Sequence, residues 1–302
     1  MEPLPIGEVS RLIARSDRTP AIPELDRIEI DGLSIAYRRS GTGPALVLLH
    51  GFLCDSRCWR RQLTDLADHF TVIAWDAPGA GSSSDPVDDF SFADWSRCLA
   101  AFLDGLGVAS ATIVGLSWGG VLAQELYRHR PSLVARLVLA DTYAGWKGSL
   151  PETAVAQRLA RCEHDSALPP AEFVPRWVPE MFSESAPAVV REELGTIFAD
   201  FHPRGFRLMA KSLGETDTTD LLRTIRAPTL VLWGDADSRS PLAIGRHMQS
   251  LIPQAELRVM ERTGHVSNME QAAAFNELLL SFVQRSPVRS WEDPSGGSAS
   301  GS

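Results

Sequence analysis

Two periods of hydrophobic and polar residues alternate along this chain. Short apolar runs bounded by glycine, proline or polar residues are typical of strands buried on both faces of a sheet. Between these runs, apolar residues recur at helical spacing. The predicted buried strands are Ala45–Leu49, Thr71–Trp75, Ala111–Leu116, Leu133–Ala140, Thr229–Trp233 and Glu256–Met260, and the predicted helices are Phe92–Leu106, Trp118–Arg130, Leu242–Leu251 and Ala272–Val283.

The first two strands follow a different pattern. Arg27–Ile30 and Leu33–Arg39 flank Asp31-Gly32, a dipeptide that strongly indicates a hairpin turn. An antiparallel start followed by repeated strand–helix units predicts an α/β fold, with an open, mostly parallel sheet and helices on both faces. The carboxyl ends of parallel strands share one edge of such a sheet, so we expect the loops that follow them to lie close together.

A long segment without a convincing strand interrupts this alternation at residues 143–220. Prolines separate four short helical patterns within it, and we predict that it forms a helical cap inserted after strand 6. The predicted cap helices are Glu152–Arg161, Ala171–Phe182, Val189–Phe201 and Gly205–Leu213. The chain is then expected to comprise an N-terminal arm (1–26), a core (27–142 and 221–285), the cap (143–220) and a disordered Gly/Ser-rich tail (286–302).

Composition and charge exclude several classes of partner. The net charge of −9 argues against a nucleic-acid-binding protein, which would present a basic face. No run reaches the roughly 18 apolar residues of a membrane span, and the N-terminus lacks a secretion signal pattern, so we expect no membrane partner and a cytoplasmic location. The four cysteines fit that location as inert thiols. A homodimer stays open as an oligomeric state.

Ser117 lies in a motif whose glycines provide space for a sharp turn of the backbone. Gly115-Leu116-Ser117-Trp118-Gly119 stands between a buried strand and a helix. A strand that turns so sharply into a helix strains the serine backbone and leaves no room for side chains two positions away. This turn presents the hydroxyl at the carboxyl edge of the sheet, so Ser117 is the predicted nucleophile.

The base and the acid are predicted from order and position. A serine hydroxyl needs a base to take its proton, and an acid to orient that base. His265 follows the strand Glu256–Met260, and Asp237 follows the strand Thr229–Trp233, both at the edge where Ser117 lies. Asp235, in the same loop, is more plausible as a loop cap. Asp141, which ends the preceding strand, is a further candidate for the acid.

The oxyanion donors are predicted to be two backbone N–H groups. Trp118 follows the nucleophile, and Phe52 lies in the loop after Ala45–Leu49, so both are expected beside the reacting carbonyl. His50 is interpreted as a residue that braces this loop. The glycine-containing run Asp76–Ser82 lacks the third glycine of a dinucleotide site, since position 84 is Ser84. We therefore expect no cofactor, and no metal because no ligand spacing suggests one.

Five motifs together resemble the α/β-hydrolase superfamily. They are HGF at 50–52, DAPGAGSS at 76–83, GLSWGG at 115–120, PTLVLWGDAD at 228–237 and GHVSNMEQ at 264–271. The resemblance covers roughly residues 27–285 and implies an eight-stranded sheet with a cap, and it supports the roles given to Ser117, Asp237 and His265. Within the superfamily the chain looks most like 3-oxoadipate enol-lactonases and related esterases, on Ser267–Gln271, Trp59 and Gln62.

The predicted function is a serine hydrolase that cleaves a small-molecule ester or lactone through an acyl-enzyme. A carbon–carbon bond hydrolase and a slow-turnover receptor of the same fold are the alternatives, because they would use the same scaffold. The pocket is expected between Ser117 and the cap, with a preference for uncharged acyl groups of medium size. The candidate substrate-binding residues are Trp146, Trp177, Phe182, Phe206 and Met209.

Overall fold

A computed structural model describes residues 21–285. Its sheet has eight strands in the order β1-β2-β4-β3-β5-β6-β7-β8. β1 is antiparallel to β2, and β2 to β4, whereas all later pairs are parallel. The strands are β1 Leu25–Ile30, β2 Leu33–Ser40, β3 Ala45–Leu49, β4 Thr71–Trp75, β5 Ala111–Leu116, β6 Val134–Ala140, β7 Thr229–Gly234 and β8 Glu256–Met260.

Eleven helices accompany the sheet within these residues. The helix Arg60–Asp65 packs on the helix Ala272–Arg285, whereas the helix Phe92–Gly105 packs on the helix Trp118–His129. The helices are α1 Arg60–Asp65, α2 Phe92–Gly105, α3 Trp118–His129, α4 Glu152–Asp165, α5 Pro170–Trp177, α6 Ala188–Ala199, α7 Pro203–Glu215, α8 Thr219–Leu222, α9 Leu242–Leu251, α10 Ser267–Glu270 and α11 Ala272–Arg285. None of them is both long and apolar enough to cross a bilayer.

The α/β class and the mostly parallel sheet predicted from the sequence are confirmed. The continuous apolar runs of β5 and β7 are buried at every position, as expected for strands covered on both faces. The register aligns their ends, since Leu116 lies opposite Ala140, and Ala140 opposite Leu232. The loops after β5, β6 and β7 therefore meet at one edge.

Two observed elements run across the predicted boundaries between arm, core and insertion. β1 begins at Leu25, inside the predicted arm, because Leu25 and Asp26 pair with the neighbouring strand. α8, at Thr219–Leu222, crosses the predicted boundary between residues 220 and 221. Residues 1–20 of the predicted arm and the whole predicted tail 286–302 lie outside the described residues.

Prolines account for the displaced helix starts in residues 143–220, hereafter the insertion. Their predicted place is between helices, but Pro170 and Pro203 occupy the first turns of α5 and α7. Proline is favoured there because its missing N–H would have no partner and its fixed φ suits the helix. Helices α5 and α7 therefore begin one or two residues earlier than predicted, and a 3₁₀ turn at Val178–Met181 ends the predicted Ala171–Phe182 helix early.

The insertion packs closely on the core at Gly205. A Cβ added to Gly205 of α7 would lie within contact distance of the Gly79 carbonyl oxygen and 2.7 Å from the Gly79 Cα. Gly79 itself has a φ of +86°, which favours glycine. Two glycine backbones therefore touch where the insertion meets the loop after β4.

We predict that Gly205→Ala destabilises the protein by about 2–4 kcal/mol, because backbone must shift to admit the methyl group. Gly195→Ala is the matched control. Gly195 lies inside α6, where alanine stabilises a helix by about 1 kcal/mol relative to glycine. The added Cβ would lie 3.4 Å from the Val174 side chain, which is an ordinary contact distance. Urea unfolding of both variants measures the difference, and equal stabilities would contradict the close approach.

Candidate active site

Ser117 lies in the strained turn that joins β5 to α3. Its φ and ψ are 53° and −116°, and its N–H donates to the Ala140 carbonyl oxygen at 2.9 Å. A Cβ on Gly119 would collide with the backbone of β3, and one on Gly120 with Thr142. The glycines therefore allow the turn to pack between its neighbouring strands, as the motif predicted.

His265 brings Ser117 and Asp237 into one hydrogen-bonded chain. Its Nε2 lies 2.9 Å from the Ser117 Oγ, and its Nδ1 lies 2.8 Å from the Asp237 Oδ2. When Asp237 is a carboxylate, Nδ1–H donates to it, and Nε2 is left as the acceptor for the serine hydroxyl. All three side chains are buried. The structure thus places together the three residues predicted as nucleophile, base and acid.

The loop after β7 holds Asp237 in a fixed position. Its Oδ1 accepts backbone N–H bonds from Arg239 and Ser240, at 2.8 and 2.9 Å, and this directs Oδ2 at the histidine. Asp235, the competitor in the same loop, is exposed and accepts a long bond from the Thr263 N–H. Asp235 is therefore turned away from the histidine.

Asp141 lies beside this chain without contacting the histidine ring. Its Oδ1 accepts from the Gly234 N–H at 2.8 Å, and its Oδ2 accepts from the Ser267 hydroxyl. It therefore ties the end of β7 to the segment just after His265. Burial raises the pKa of the Asp141 carboxyl well above its usual range, and the nearby Asp237 charge raises it further.

The loop after β3 packs against the serine. A Cβ on Gly51 would lie 3.3 Å from the Ser117 Cβ, so the loop that carries Phe52 packs directly against the serine. Trp118 is the first residue of α3, where backbone N–H groups have no partner within the helix. Phe52 and Trp118 are therefore neighbours along the chain of the residues that meet here, and their role as oxyanion donors stays a prediction.

His50 braces this loop. Its Nε2 accepts from the Ala77 N–H at 3.0 Å, so the ring proton lies on Nδ1, which donates to the Gly51 carbonyl oxygen at 2.7 Å. Complete burial lowers the pKa of His50 and favours this neutral form. The histidine thereby holds the loop at Gly51 against the segment after β4.

A family model described as the alpha/beta hydrolase fold matches residues 44–272 of this chain. The chain belongs to the α/β-hydrolase family. A 3-oxoadipate enol-lactonase 2 of Acinetobacter baylyi is 28% identical over 264 residues, which cover 86% of this chain and 97% of the relative. A 2-hydroxy-6-oxononadienedioate/2-hydroxy-6-oxononatrienedioate hydrolase of Burkholderia vietnamiensis is 32% identical over 267 residues, 84% of this chain and 92% of that protein.

Solved structures give the same result. A thermophilic esterase from Thermogutta terrifontis, in a malate-bound structure, superposes with a TM-score of 0.80 at 28% identity, covering 87% of this chain and 98% of that one. The resemblance to the α/β-hydrolases predicted from the motifs is confirmed, and the chain is a hydrolase by family. No cluster of His, Cys, Asp and Glu side chains within residues 21–285 could hold a metal ion.

Three of the predicted pocket residues of this α/β-hydrolase gather around Phe52. The Phe52 ring stacks on Phe206, with centroids 5.3 Å apart, and meets Trp146 and Trp177 edge-on at 6.1 and 6.0 Å. All four side chains are buried, and Ser117 is only 2% exposed. This aromatic cluster therefore packs the insertion against the loop after β3.

The other two predicted pocket residues lie elsewhere on the insertion. The Arg191 guanidinium carbon lies over the Phe182 ring, 5.4 Å from the ring centre. The Phe182 backbone lies against Gly264. The Met209 backbone carbonyl oxygen accepts a hydrogen bond from the Ser212 hydroxyl. That hydroxyl accepts a hydrogen bond from the Trp118 indole N–H at 3.2 Å. Phe182 thus supports the histidine loop, and Met209 lies near the start of α3.

Glu270 joins the histidine loop to the insertion, and the sequence interpretation missed this role. Its Oε2 accepts from the Gly264 N–H at 2.9 Å and from the Ser183 N–H at 3.2 Å, and its Oε1 accepts from the Ser183 hydroxyl. On the other side of His265, the Val266 N–H donates to the Met181 carbonyl oxygen at 3.2 Å. Glu270 was part of the GHVSNMEQ motif, but only the folded chain brings Ser183 to it.

We predict that Asp141→Asn flattens the dependence of stability on pH. Because the folded carboxyl has a raised pKa, the native state binds its proton more tightly than the unfolded state. Wild-type stability should fall as the pH rises from about 4, the ordinary carboxyl pKa, towards the raised value. Asparagine preserves the shape and the bond from Gly234 but does not titrate.

Urea unfolding at a series of pH values from 4.5 to 8 measures this effect. The stability of Asp141→Asn relative to wild type should increase steadily across the series. Parallel curves for the two proteins would contradict a buried, proton-binding Asp141.

Proposed function

We propose that this protein is a serine hydrolase that cleaves a carboxylic ester or lactone through an acyl-enzyme, with Ser117 as nucleophile, His265 as general base and Asp237 as acid. The observation that carries this proposal is the unbroken chain from the Ser117 Oγ through both nitrogens of His265 to the Asp237 Oδ2. Such a chain is what a weakly nucleophilic hydroxyl needs to lose its proton at neutral pH.

The proposed first step is attack on the carbonyl. The Ser117 Oγ bonds to the carbonyl carbon while its proton passes to the His265 Nε2, and Asp237 stabilises the resulting imidazolium. The Phe52 and Trp118 N–H groups bind the developing oxyanion. His265 then gives the proton to the leaving oxygen, the tetrahedral intermediate collapses, and an acyl ester on Ser117 remains.

In the second proposed step, water hydrolyses the acyl-enzyme with the help of the same side chains. His265 takes a proton from water as it attacks the acyl carbon, and returns that proton to the Ser117 Oγ when the carboxylic acid leaves. For a lactone, the alcohol and the acid are the two ends of one product. The aromatic cluster around Phe52 must move to admit substrate, because Ser117 is 2% exposed.

Similar proteins support the ester and lactone assignment. The relative named as an enol-lactonase and the esterase structure each cover more than four-fifths of this chain. A carbon–carbon bond hydrolase is the second candidate, supported by the 32% identical relative whose name is that of a 2-hydroxy-6-oxononadienedioate hydrolase. That reaction would use the same three side chains, so substrate preference alone separates the two functions.

We predict that Ser117→Ala lowers kcat on a p-nitrophenyl ester by about 10⁴-fold or more, because no nucleophile remains. Asp237→Asn should lower it by about 10³- to 10⁴-fold through loss of the charge that orients His265. Asp141→Asn is the matched carboxyl control and should keep most of the activity. An Asp141→Asn loss as large as that of Asp237→Asn would contradict the choice of acid.

A screen of esters, simple lactones and vinylogous diketones decides between the two candidate functions. We expect kcat/KM to be highest on an ester or a lactone, with Ser117→Ala as the blank. Rapid cleavage of a diketone together with weak ester turnover would overturn the assignment in favour of carbon–carbon bond hydrolysis.

A further inference from the structure

A cavity of about 320 Å³ lies where the insertion meets the loop after β7. Its charged lining consists of three arginines and one carboxylate, namely Arg158, Arg161, Arg239 and Glu180. The arginines come from two parts of the chain, since Arg158 and Arg161 lie one turn apart on α4, whereas Arg239 follows Asp237 in the loop after β7. The fold therefore concentrates positive charge around a space large enough for a small organic group.

The carboxylate in the lining does not balance this charge. Glu180 is shared by Arg161 and Arg239, each at 2.9 Å. Asp165 forms a further pair with Arg161 at 3.3 Å. Arg158 donates to the Tyr143 hydroxyl and to the Arg239 carbonyl oxygen, and it pairs with no carboxylate anywhere in residues 21–285. The cavity is left with at least one uncompensated guanidinium.

Arg239 also leaves a donor without an acceptor. Its side chain is buried, and its Nε has no hydrogen-bond partner among the described residues. An unpaired buried donor of a charged group is costly, so proteins rarely retain one without a ligand or a bound water. Guanidinium groups match carboxylates in geometry, because their N–H groups bond to both carboxylate oxygens at once.

The arginine cavity lies close to the proposed reaction site. The Arg239 guanidinium carbon lies 4.8 Å from the Trp177 ring centre and 6.0 Å from that of Phe52. The Arg239 backbone N–H also donates to Asp237. One layer of aromatic side chains therefore separates the arginines from the loop that holds the oxyanion donor.

We propose that the arginine cavity binds a carboxylate group carried by the substrate, at the end remote from the scissile ester or lactone carbonyl. This inference rests on the proposed function and names its substrate class: monoanionic acyl or lactone compounds. It departs from the uncharged preference that the apolar residues of the insertion suggested. Phe52 and Trp177 must move for a substrate to reach from Ser117 to this cavity, and its anionic end then lies on the guanidinium groups.

Two matched ester series test this assignment. One consists of the mono-p-nitrophenyl esters of dicarboxylic acids from adipate to suberate, and the other of the p-nitrophenyl esters from hexanoate to octanoate, which carry a methyl group in place of the carboxylate. We expect at least one acidic ester to exceed its neutral counterpart in kcat/KM by about 10-fold or more, through charge-assisted hydrogen bonds.

Arg158→Gln removes the uncompensated charge without touching the proposed catalytic residues. It should lower kcat/KM for the preferred acidic ester by about 10- to 100-fold, mainly through KM, and leave the neutral ester within about twofold. Lys211→Gln is the matched control, because it removes a charge from an exposed position of α7 that lines a different cavity. It should change neither series. Arg161→Gln serves as a second variant should Arg158→Gln fail to fold.

The outcomes separate this inference from the proposed function. Equal kcat/KM for acidic and neutral esters at every length, or equal losses for both in Arg158→Gln, would overturn the carboxylate assignment while ester hydrolysis stands. Absence of hydrolysis of any ester or lactone would overturn the proposed function itself. Added adipate provides the third arm: if it alters neutral-ester turnover through Arg158 without any charge preference among the esters, the cavity takes a free carboxylate, and the substrate assignment is wrong.

Discussion

The hydrogen bond between the Ser117 hydroxyl and the His265 ring depends on almost every other feature of the fold. These residues are 148 positions apart in the chain, and His265 and Asp237 are 28 apart. Only a rigid sheet whose strands end in register can hold such distant side chains at hydrogen-bond distance. The parallel ladder from β5 to β8 does this, and the loops add the final orientation through backbone N–H bonds to the Asp237 carboxyl.

The insertion contributes to the same geometry from the other side. The segments flanking His265 bond to residues 181–183 of the insertion, through the Glu270 carboxylate on one side and the Val266 N–H on the other, so the position of His265 depends on where the insertion lies. The insertion also carries Trp146, Trp177 and Phe206, which cover Phe52. The insertion therefore both covers Phe52 and orients the histidine, through two separate sets of contacts.

The edge of the sheet where the site lies could be predicted because strand burial and the glycine turn are local properties. Continuous apolar runs identify strands covered on both faces, and GxSxG between a strand and a helix identifies the turn at Ser117. The strand pattern then places Asp237 and His265 in loops at the same edge, because each follows a predicted parallel strand. Helix starts such as Pro203 were predicted less well, because proline both ends one element and opens the next.

Contacts between distant segments that no motif marks could not be predicted from the sequence. Asp141 was considered as a rival acid, but its bonds to Gly234 and Ser267 appear only once β6, β7 and the histidine loop are adjacent. The arginine cavity is lined by residues of both α4 and the loop after β7. Arg158 and Arg161 are unremarkable on an amphipathic helix until Arg239 faces them.

Reaction with an organophosphonate tests the central claim most directly, because a phosphonate ester forms only on a serine that a neighbouring base has activated. One equivalent should attach to the Ser117 Oγ, as located by mass spectrometry of the digested protein, and the His265→Ala variant should label far more slowly. Folded protein that leaves Ser117 unlabelled under conditions that modify a reference serine esterase would contradict the account.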